Sequence, residues 1–508
     1  MLTPKDFEFN DLQGIFRFSH SRLQQARFLL LKIQDATLAK QWLAQAPVTS
    51  GSIRSPLPNT ALHIAFTAEG LHEIGLKKHI INGFSNEFLS GMTGDNRSRR
   101  LGDTAENDPQ SWHWGTSSNN KPDLLLMLYA DSENIDTWQQ QLTSGIFYQA
   151  FTLQTSLNTN GEIASEPFGF ADGISQPVID WQQQQSVNIH QRDTYSNLVA
   201  PGEIILGYPN EYNEYTDRPL LNTENDELAN ILPDAEEQPH LKDFGRNGSY
   251  LIFRQLEQDV PGFWQFIDKE TGGNPSKREK LAQAMVGRTR NGDPLVPLTQ
   301  NKIAGISSHP ENNNHFHFDD DPDGLLCPMG AHVRRSNPRT GDFTPGVRGF
   351  FSRIKKILGF DNNNHHSDLL SSTRFHRLLR RGRQYGPVLT PEEAIKPDAS
   401  KEERGLQFIC LSANIARQFE FVQNAWLNNA KFAGLQNETD PLLGNRQKLD
   451  DVTPTDNFSQ AHRSGPRRCT NNLPQFVRVR GGAYFFLPGI RALKYIARST
   501  TITSEGEA

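Results

Sequence analysis

Hydrophobic residues in this chain gather into short runs, each followed by a polar break and then by apolar residues three or four apart. Four segments share that layout: "ARFLLLKIQDATLAKQWLAQ", "PDLLLMLYADSENIDTWQQQL", "GSYLIFRQLEQDVPGFWQFID" and "RGLQFICLSANIARQFEFVQNAW". The runs predict buried strands, and the spacing that follows predicts amphipathic helices. Two partial units, "ALHIAFTAEGLHEIGL" and "QFVRVRGGAYFFLPGIRALKYIA", repeat the theme. Strand followed by helix in both halves predicts an α+β protein with helices on one sheet face, built from a duplicated unit. An acidic, proline-dotted stretch, "RPLLNTENDELANILPDAEEQPHLKDFGRNG", lacks periodicity and reads as a connecting segment. The domain boundary is therefore expected near residue 245, giving domains 1–245 and 246–508.

One more pattern stands apart. "GVRGFFSRIKKILGF" (346–360) sets Phe350, Phe351, Ile354, Ile357 and Leu358 on one helical face, with Arg353, Lys355 and Lys356 beside it. Such a helix can dock on a membrane surface or in a partner's groove. A surface helix inside an insertion over 340–373 is the simpler reading, because most amphipathic helices cover their own core.

Composition narrows the function classes. At 508 residues the chain is too long for one compact core, and its 31 Phe and 7 Trp supply a sizeable interior. A net charge of −6 argues against general nucleic-acid binding. Three widely spaced cysteines, Cys327, Cys410 and Cys469, form neither a disulfide framework nor a zinc motif, and no C-x-x-C-H run offers covalent haem attachment. The longest apolar runs are too short to span a bilayer, and the first residues carry no secretory pattern, so a cytoplasmic protein is expected.

Four stretches bring polar groups into glycine-marked or apolar settings. "EPFGFADGISQP" (166–177) places Asp172 among apolar residues between Gly169 and Gly173. Glycines so placed mark a tight turn or a close backbone approach. "CPMGAHVRRSNPR" (327–339) offers His332 as an axial metal ligand, with Arg334, Arg335 and Arg339 near enough to meet anionic groups. In "RLLRRGRQYG" (377–386), adjacent Arg380 and Arg381 on a strand face opposite ways, so one can enter a site. "HFHFDDDPDG" (315–324) has His315 and His317 on one strand face, followed by Asp319, Asp320, Asp321 and Asp323. That set suits zinc, manganese or non-haem iron, and a solvated acidic loop explains it equally well.

Taken together and in this order, the motifs resemble the dye-decolourising peroxidases. "GFADG" fits the family's G-x-x-D-G pattern, "AHVRRSNPR" resembles the segment of the proximal haem histidine, and "RLLRRGRQYG" resembles the distal-arginine strand. "GLQFICLSANIARQFEFVQNAW" and "FVRVRGGAYFFLPGI" resemble the last two strand–helix units, and "LQGIFRFSH", "EFLSGM" and "LGDTAEN" resemble the longer, leaderless bacterial members. The likeness spans roughly residues 10 to 495. It departs in spacing: 48 residues separate His332 from Arg380, because the 340–373 insertion lies between them.

The resemblance implies two ferredoxin-like domains of the dimeric α+β barrel type, with one non-covalent haem b per chain held mainly by the C-terminal domain. It also implies a peroxidase that reduces hydrogen peroxide and oxidises dye-like or phenolic reductants, with no nucleic acid or membrane partner and with homo-oligomers left open. His332 would be the proximal iron ligand, Asp172 the distal acid–base residue, and Arg380 the distal arginine, also reaching a haem propionate. Leu406 and Phe408 would line the distal pocket. Glu420 is a candidate carboxylate behind His332, and Tyr385 and Trp426 are candidate aromatic electron relays for bulky reductants. A non-catalytic haem carrier and a non-haem metal enzyme on 315–324 are the competing classes.

Overall fold

The computed structural model describes residues 7–499 except 95, 117–119, 162–164, 183–196, 225, 297–312, 315, 319–320, 340–372 and 449–451. The amphipathic segment 346–360, and nearly all of the 340–373 insertion, lie outside the described residues.

The principal strands are β1 (Gln25–Ile33), β2 (Thr60–Phe66), β3 (Leu124–Ala130), β4 (Phe151–Asn158), β5 (Ser249–Gln258), β6 (Leu379–Arg380), β7 (Arg383–Tyr385), β8 (Gly405–Ser412) and β9 (Val477–Leu487). They form one antiparallel sheet in the order β6-β8-β5-β9-β2-β3-β1-β4, with β7 also on β8. The four N-terminal strands, ordered β4-β1-β3-β2, place the fourth, first, third and second strand side by side. The C-terminal strands, ordered β9-β5-β8-β6/β7, repeat that arrangement. Each first strand leads into a helix, α1 (Ala36–Gln45) after β1 and α3 (Val260–Glu270) after β5, and α2 (Ile135–Leu142) follows the third strand β3. This is the ferredoxin-like topology twice over, and the duplicated strand–helix pattern of the sequence is its trace.

Four of the predicted strand–helix units are present where the periodicity placed them. The helix after β8 differs in winding, forming π-helical turns over Ala416–Glu420 and Val422–Leu427. Apolar spacing does not separate an α from a π turn, and π turns concentrate at functional sites.

Alternation along the strands sorts residues between two cores. On β5, Tyr250, Ile252 and Leu256 join the helix-side core, whereas Leu251 and Phe253 join the other. The second face is covered by Phe7, Leu12, Ile15 and Phe16 from the N-terminal segment and by Val199, Ile204, Ile205 and Tyr208. The acidic stretch that lacked periodicity is built into the molecule by ion pairs. Arg218 donates to Asp243 and Glu237, each at 2.6 Å, and Arg246 donates to Glu236 at 2.7 Å.

The two halves of the sheet meet at a single register pair, Phe486 on β9 with Phe66 on β2. Where the ladder ends, the side chain of Gln13 takes its place. Its amide donates to the carbonyls of Ile64 (2.8 Å) and Pro488 (2.9 Å), and its oxygen accepts from Ile64 N (3.0 Å). Gln13 is fully buried, so truncation strands backbone groups away from water. Gln13→Leu is expected to lower stability by about 2–4 kcal/mol, read from the midpoint of denaturant unfolding.

Candidate functional site

The helix-side core of the C-terminal half is interrupted by a cavity of about 1840 Å³ of atom-free space, its open mouth included. β5 sends Arg254, Leu256 and Gln258 into it, β8 sends Leu406 and Phe408, and β9 sends Val477 and Val479. Asp172, His332 and Arg380, which lie up to 208 residues apart in sequence, line the same space with Leu406 and Phe408. All five residues expected at the site are therefore brought together.

The Asp172 turn depends on its two glycines. Gly169 and Gly173 have φ of +92° and +80°, in the left-handed region that side chains with a Cβ avoid. Nothing lies within 4 Å of a Cβ built on Gly173, so conformation rather than crowding calls for glycine there. The turn is docked on β6 at two points: Arg380 Nη1 donates to Asp172 Oδ1 at 2.9 Å, and the Arg380 backbone N–H donates to Gln176 Oε1 at 3.0 Å. Arg381, the next residue, points the other way and donates to the carbonyls of Ile15 (2.7 Å) and Phe16 (3.0 Å). The opposite-facing arginine pair read from the strand pattern is thus realised.

Asp172 is 38% exposed, and that exposure is to the cavity it lines. Burial acts to raise its pKa, but the Arg380 charge, the Gly173 N–H and the hydrogen bond from Arg380 outweigh it. The carboxyl is held below the ordinary range.

His332 opens a five-residue helix, His332–Ser336. Its Nδ1 lies 3.0 Å from Asp440 Oδ2, which leaves Nε2 as the ring's cavity-side nitrogen. Asp440 is fully buried, and its other oxygen accepts from Leu442 N (2.9 Å) and Leu443 N (2.8 Å). Burial disfavours imidazolium, yet the Asp440 charge and hydrogen bond prevail, and the His332 pKa stands above its usual 6.5. Asp440 shifts the opposite way: burial raises it, but His332, Arg335 and the Leu443 N–H hold it low.

The carboxylate behind His332 is thus Asp440, not Glu420. Glu420 is buried elsewhere, accepting from Arg97 (2.6 Å), Arg100 (3.0 Å) and Tyr484 (3.0 Å). Asp440 was missed because its turn, "TDPLLGN", looks like any Asp-Pro turn and lies 108 residues from His332. The arginines after His332 also differ from expectation. Arg335 is fully buried and donates to the carbonyls of Asn429 and Glu438, each at 2.8 Å. Arg334 holds Asp321 (3.1 Å) and the Cys327 carbonyl (2.7 Å), and Arg339 holds the carbonyls of Asn314 (2.8 Å) and Phe316 (3.0 Å). Their charges knit backbone around the site instead of facing a ligand; Arg288 and Arg377 line the cavity beside Arg380.

The acidic loop is part of that knitting. Asp321 accepts from Leu326 N (3.0 Å) and Cys327 N (2.9 Å) as well as from Arg334. His315, Asp319 and Asp320 lie outside the described residues, and no group of three metal-ligating side chains occurs among those described. Of the two aromatic candidates, Trp426 lines the cavity and Tyr385 is not among its lining residues. Both are buried, and Tyr385 donates to Glu403 at 2.8 Å. No helix among the described residues is long and apolar enough to cross a membrane.

Removing the charge of Asp440 while keeping its shape leaves burial and Arg380, which lower the His332 pKa, opposed only by the smaller effect of the Asp172 charge. Asp440→Asn is therefore expected to drop the His332 pKa below its ordinary value, followed by NMR titration of the imidazole in cofactor-free protein.

No protein-family model matches the chain. Curated relatives do. Peroxidase 2 of Mycetinis scorodonius is 26% identical over 509 residues, covering 95% of this chain and 86% of that protein. A dye-decolorizing peroxidase of Exidia glandulosa is 27% identical, with the same coverage. The multifunctional dye peroxidase DyP2 of an Amycolatopsis species is 28% identical over 351 residues, covering 66% of this chain and 62% of that protein. Fungal relatives prevail over this bacterial one, whereas the motifs had pointed to a bacterial type. Solved structures agree in fold. A dye-decolorizing peroxidase in complex with 2,6-dimethoxyphenol superposes with a TM-score of 0.71 at 22% identity, over 97% of this chain and 100% of that one. The enzyme of Auricularia auricula-judae gives 0.70 at 23%, with the same coverage. With curated relatives matched over 95% of this chain and the doubled ferredoxin-like fold in common with solved structures, the chain is similar in sequence and in fold to the dye-decolourising peroxidases.

Proposed function

We propose that the chain is a haem peroxidase in which His332 holds the iron while Asp172 and Arg380 act on hydrogen peroxide. The observation that carries this reading is the Asp172–Arg380 pair facing the same cavity as a carboxylate-backed histidine. The residues fit haem b. An imidazole nitrogen is available, aliphatic and aromatic walls from Leu406, Phe408, Phe419 and Leu442 suit a flat apolar ring, and Arg377 and Arg380 suit its carboxylates. No C-x-x-C-H attachment exists, so the group is held without a covalent bond, one per cavity. Haem supplies the redox centre that stores the oxidising equivalents of peroxide and passes them to dye-like or phenolic reductants.

The protein's own groups manage protons and charge. Asp172, ionised under the Arg380 charge, is placed to take a proton from one oxygen of hydrogen peroxide and return it to the other, which could then leave as water. The two electrons and the uptake of the remaining oxygen would fall to bound haem. Arg380 stabilises negative charge as it builds on the departing oxygen. Asp440 accepts from His332 Nδ1–H, fixes the ring and makes Nε2 a stronger donor. Leu406 and Phe408 narrow the space beside Asp172 and favour small peroxides. In this reading the chain divides near residue 245, the first part supplying Asp172 and the second His332 and Arg380. A cytoplasmic setting belongs to the same reading, supported by three unpaired cysteines. A haem carrier is the weaker alternative, since storage gives no reason to hold an ionised acid and an arginine together in the cavity.

The test is to mix haem-loaded protein with hydrogen peroxide and follow the Soret band by stopped flow. Asp172→Ala and Arg380→Leu are each expected to slow the spectral change by about 100-fold or more with haem retained. His332→Ala should lose haem instead. Wild-type rates in both distal variants would refute the assignment.

The pH dependence has a definite sign. Asp172 is a base only when ionised, so the rate falls as pH drops through its lowered pKa. Arg380→Leu removes the charge that opposes burial. The residual activity of that variant should therefore lose its acid tolerance at a higher pH than the wild type.

A further inference from the structure

A second carboxylate lines the cavity and has no part in the steps above. Glu166, six residues before Asp172, is enclosed in the same turn. Its Oε2 accepts from Phe168 N (3.0 Å) and from Gln258 Nε2 (2.8 Å), and its Oε1 accepts from Phe170 N (3.0 Å). Its own backbone N–H donates to the Phe170 carbonyl at 2.8 Å. One carboxyl group therefore closes both sides of Gly169, three residues upstream of Asp172. Gln258 shows an irregularity at the same place: its Oε1 is buried and has no partner. The two ends of a terminal amide are distinguished only by their hydrogen bonds. With that amide turned over, Gln258 Oε1 meets Glu166 Oε2 and accepts a hydrogen bond from the protonated carboxyl, and Nε2 takes the position the oxygen had.

We propose that Glu166 is the positioning residue for Asp172, holding the 166–172 turn as a neutral carboxyl that donates to Gln258 and accepts from the Phe168 and Phe170 backbone. Burial is the largest influence on Glu166 and pushes its pKa up to about 7. The Phe168, Gln258 and Phe170 hydrogen bonds act against this, and the Asp172 charge adds to it. The other charges near the turn are already matched: Arg254 by Asp103, and Arg290, close to Gly169, by Glu279. The two acids of the motif thus divide, Asp172 ionised under Arg380 and Glu166 neutral, as neighbouring carboxyls do when one has a cation and the other is dry. The device keeps the turn shut throughout the acid range in which Asp172 remains a base.

This inference rests on the peroxidase reading for its kinetic arm and stands apart from it in its exchange arm. Amide hydrogen exchange at Phe168 and Phe170 is measured in the full chain, alongside the peroxide rate from pH 4 to 8. Glu166→Ala is expected to speed exchange at both amides at least tenfold and to slow the peroxide reaction at least tenfold, with the Soret band intact. Glu166→Gln, which keeps a carbonyl acceptor and a donor, should stay within about twofold of wild type in rate and keep the same acid limb. Wild-type exchange and rate in Glu166→Ala would overturn the positioning role. An acid limb moved to lower pH in Glu166→Gln would show an ionised Glu166 and overturn the neutral clamp. A wild-type protein inert to peroxide would sink the peroxidase reading while the exchange arm still decided the clamp.

Discussion

A carboxylate facing an apolar cavity keeps its charge only if the fold fixes a cation against it, and the Asp172–Arg380 contact meets that requirement. The two residues come from different halves of the chain, so the contact exists only when the sheet is complete. Arg380 sits on a two-residue edge strand held by β8, and its neighbour Arg381 is tied to the carbonyls of the N-terminal segment. The Asp172 turn is in turn held to that strand through Gln176. Loss of any of these supports leaves an acid next to low-dielectric space without its partner.

The same logic governs the other side of the site. His332 is coupled to Asp440, and Asp440 can be buried as an anion because two backbone N–H groups, Arg335 and the histidine all favour its charge. Arginines that seemed suited to an anionic ligand serve this scaffold instead. Arg334, Arg335 and Arg339 lie almost wholly out of water, and each donates to backbone carbonyls of segments that have no regular structure. A buried guanidinium offers five donors in a fixed plane, which suits it to joining several loops at one point. The region around the histidine is irregular and yet fixed because charged donors replace the ladder hydrogen bonds that strands would have made.

Sheet and cavity are linked through the strand period. Alternate residues of β5, β8 and β9 reach the cavity, and on the opposite face Leu251 and Phe253 of β5 and Ile409 and Leu411 of β8 join the second core. A one-residue slip of β8 would exchange Leu406 and Phe408 for Gln407 and Ile409. The register of β8 against β5, running from Gly405–Glu257 to Ser412–Tyr250, is thus a condition of the site as well as of the fold. The doubled topology places β8 as third strand of its quartet, flanked on both sides and protected from such slippage.

Local patterning determined the strands, most of the helices, the duplication and the glycine-marked turn at Asp172, because each depends on residues close in sequence. The order of motifs was enough to single out Asp172, His332 and Arg380, and the resemblance those motifs carry pointed to Leu406 and Phe408 as well. Partnership was left to the tertiary structure. Glu420 and Asp440 are both acids near apolar residues, and only the path of the chain decides that Asp440 reaches His332 while Glu420 meets Arg97 and Arg100. The same holds for the three arginines after His332 and for Glu166 with Gln258, 92 residues away. A buried charge must find a counter-group, and which one it finds is a long-range packing outcome that no local pattern encodes.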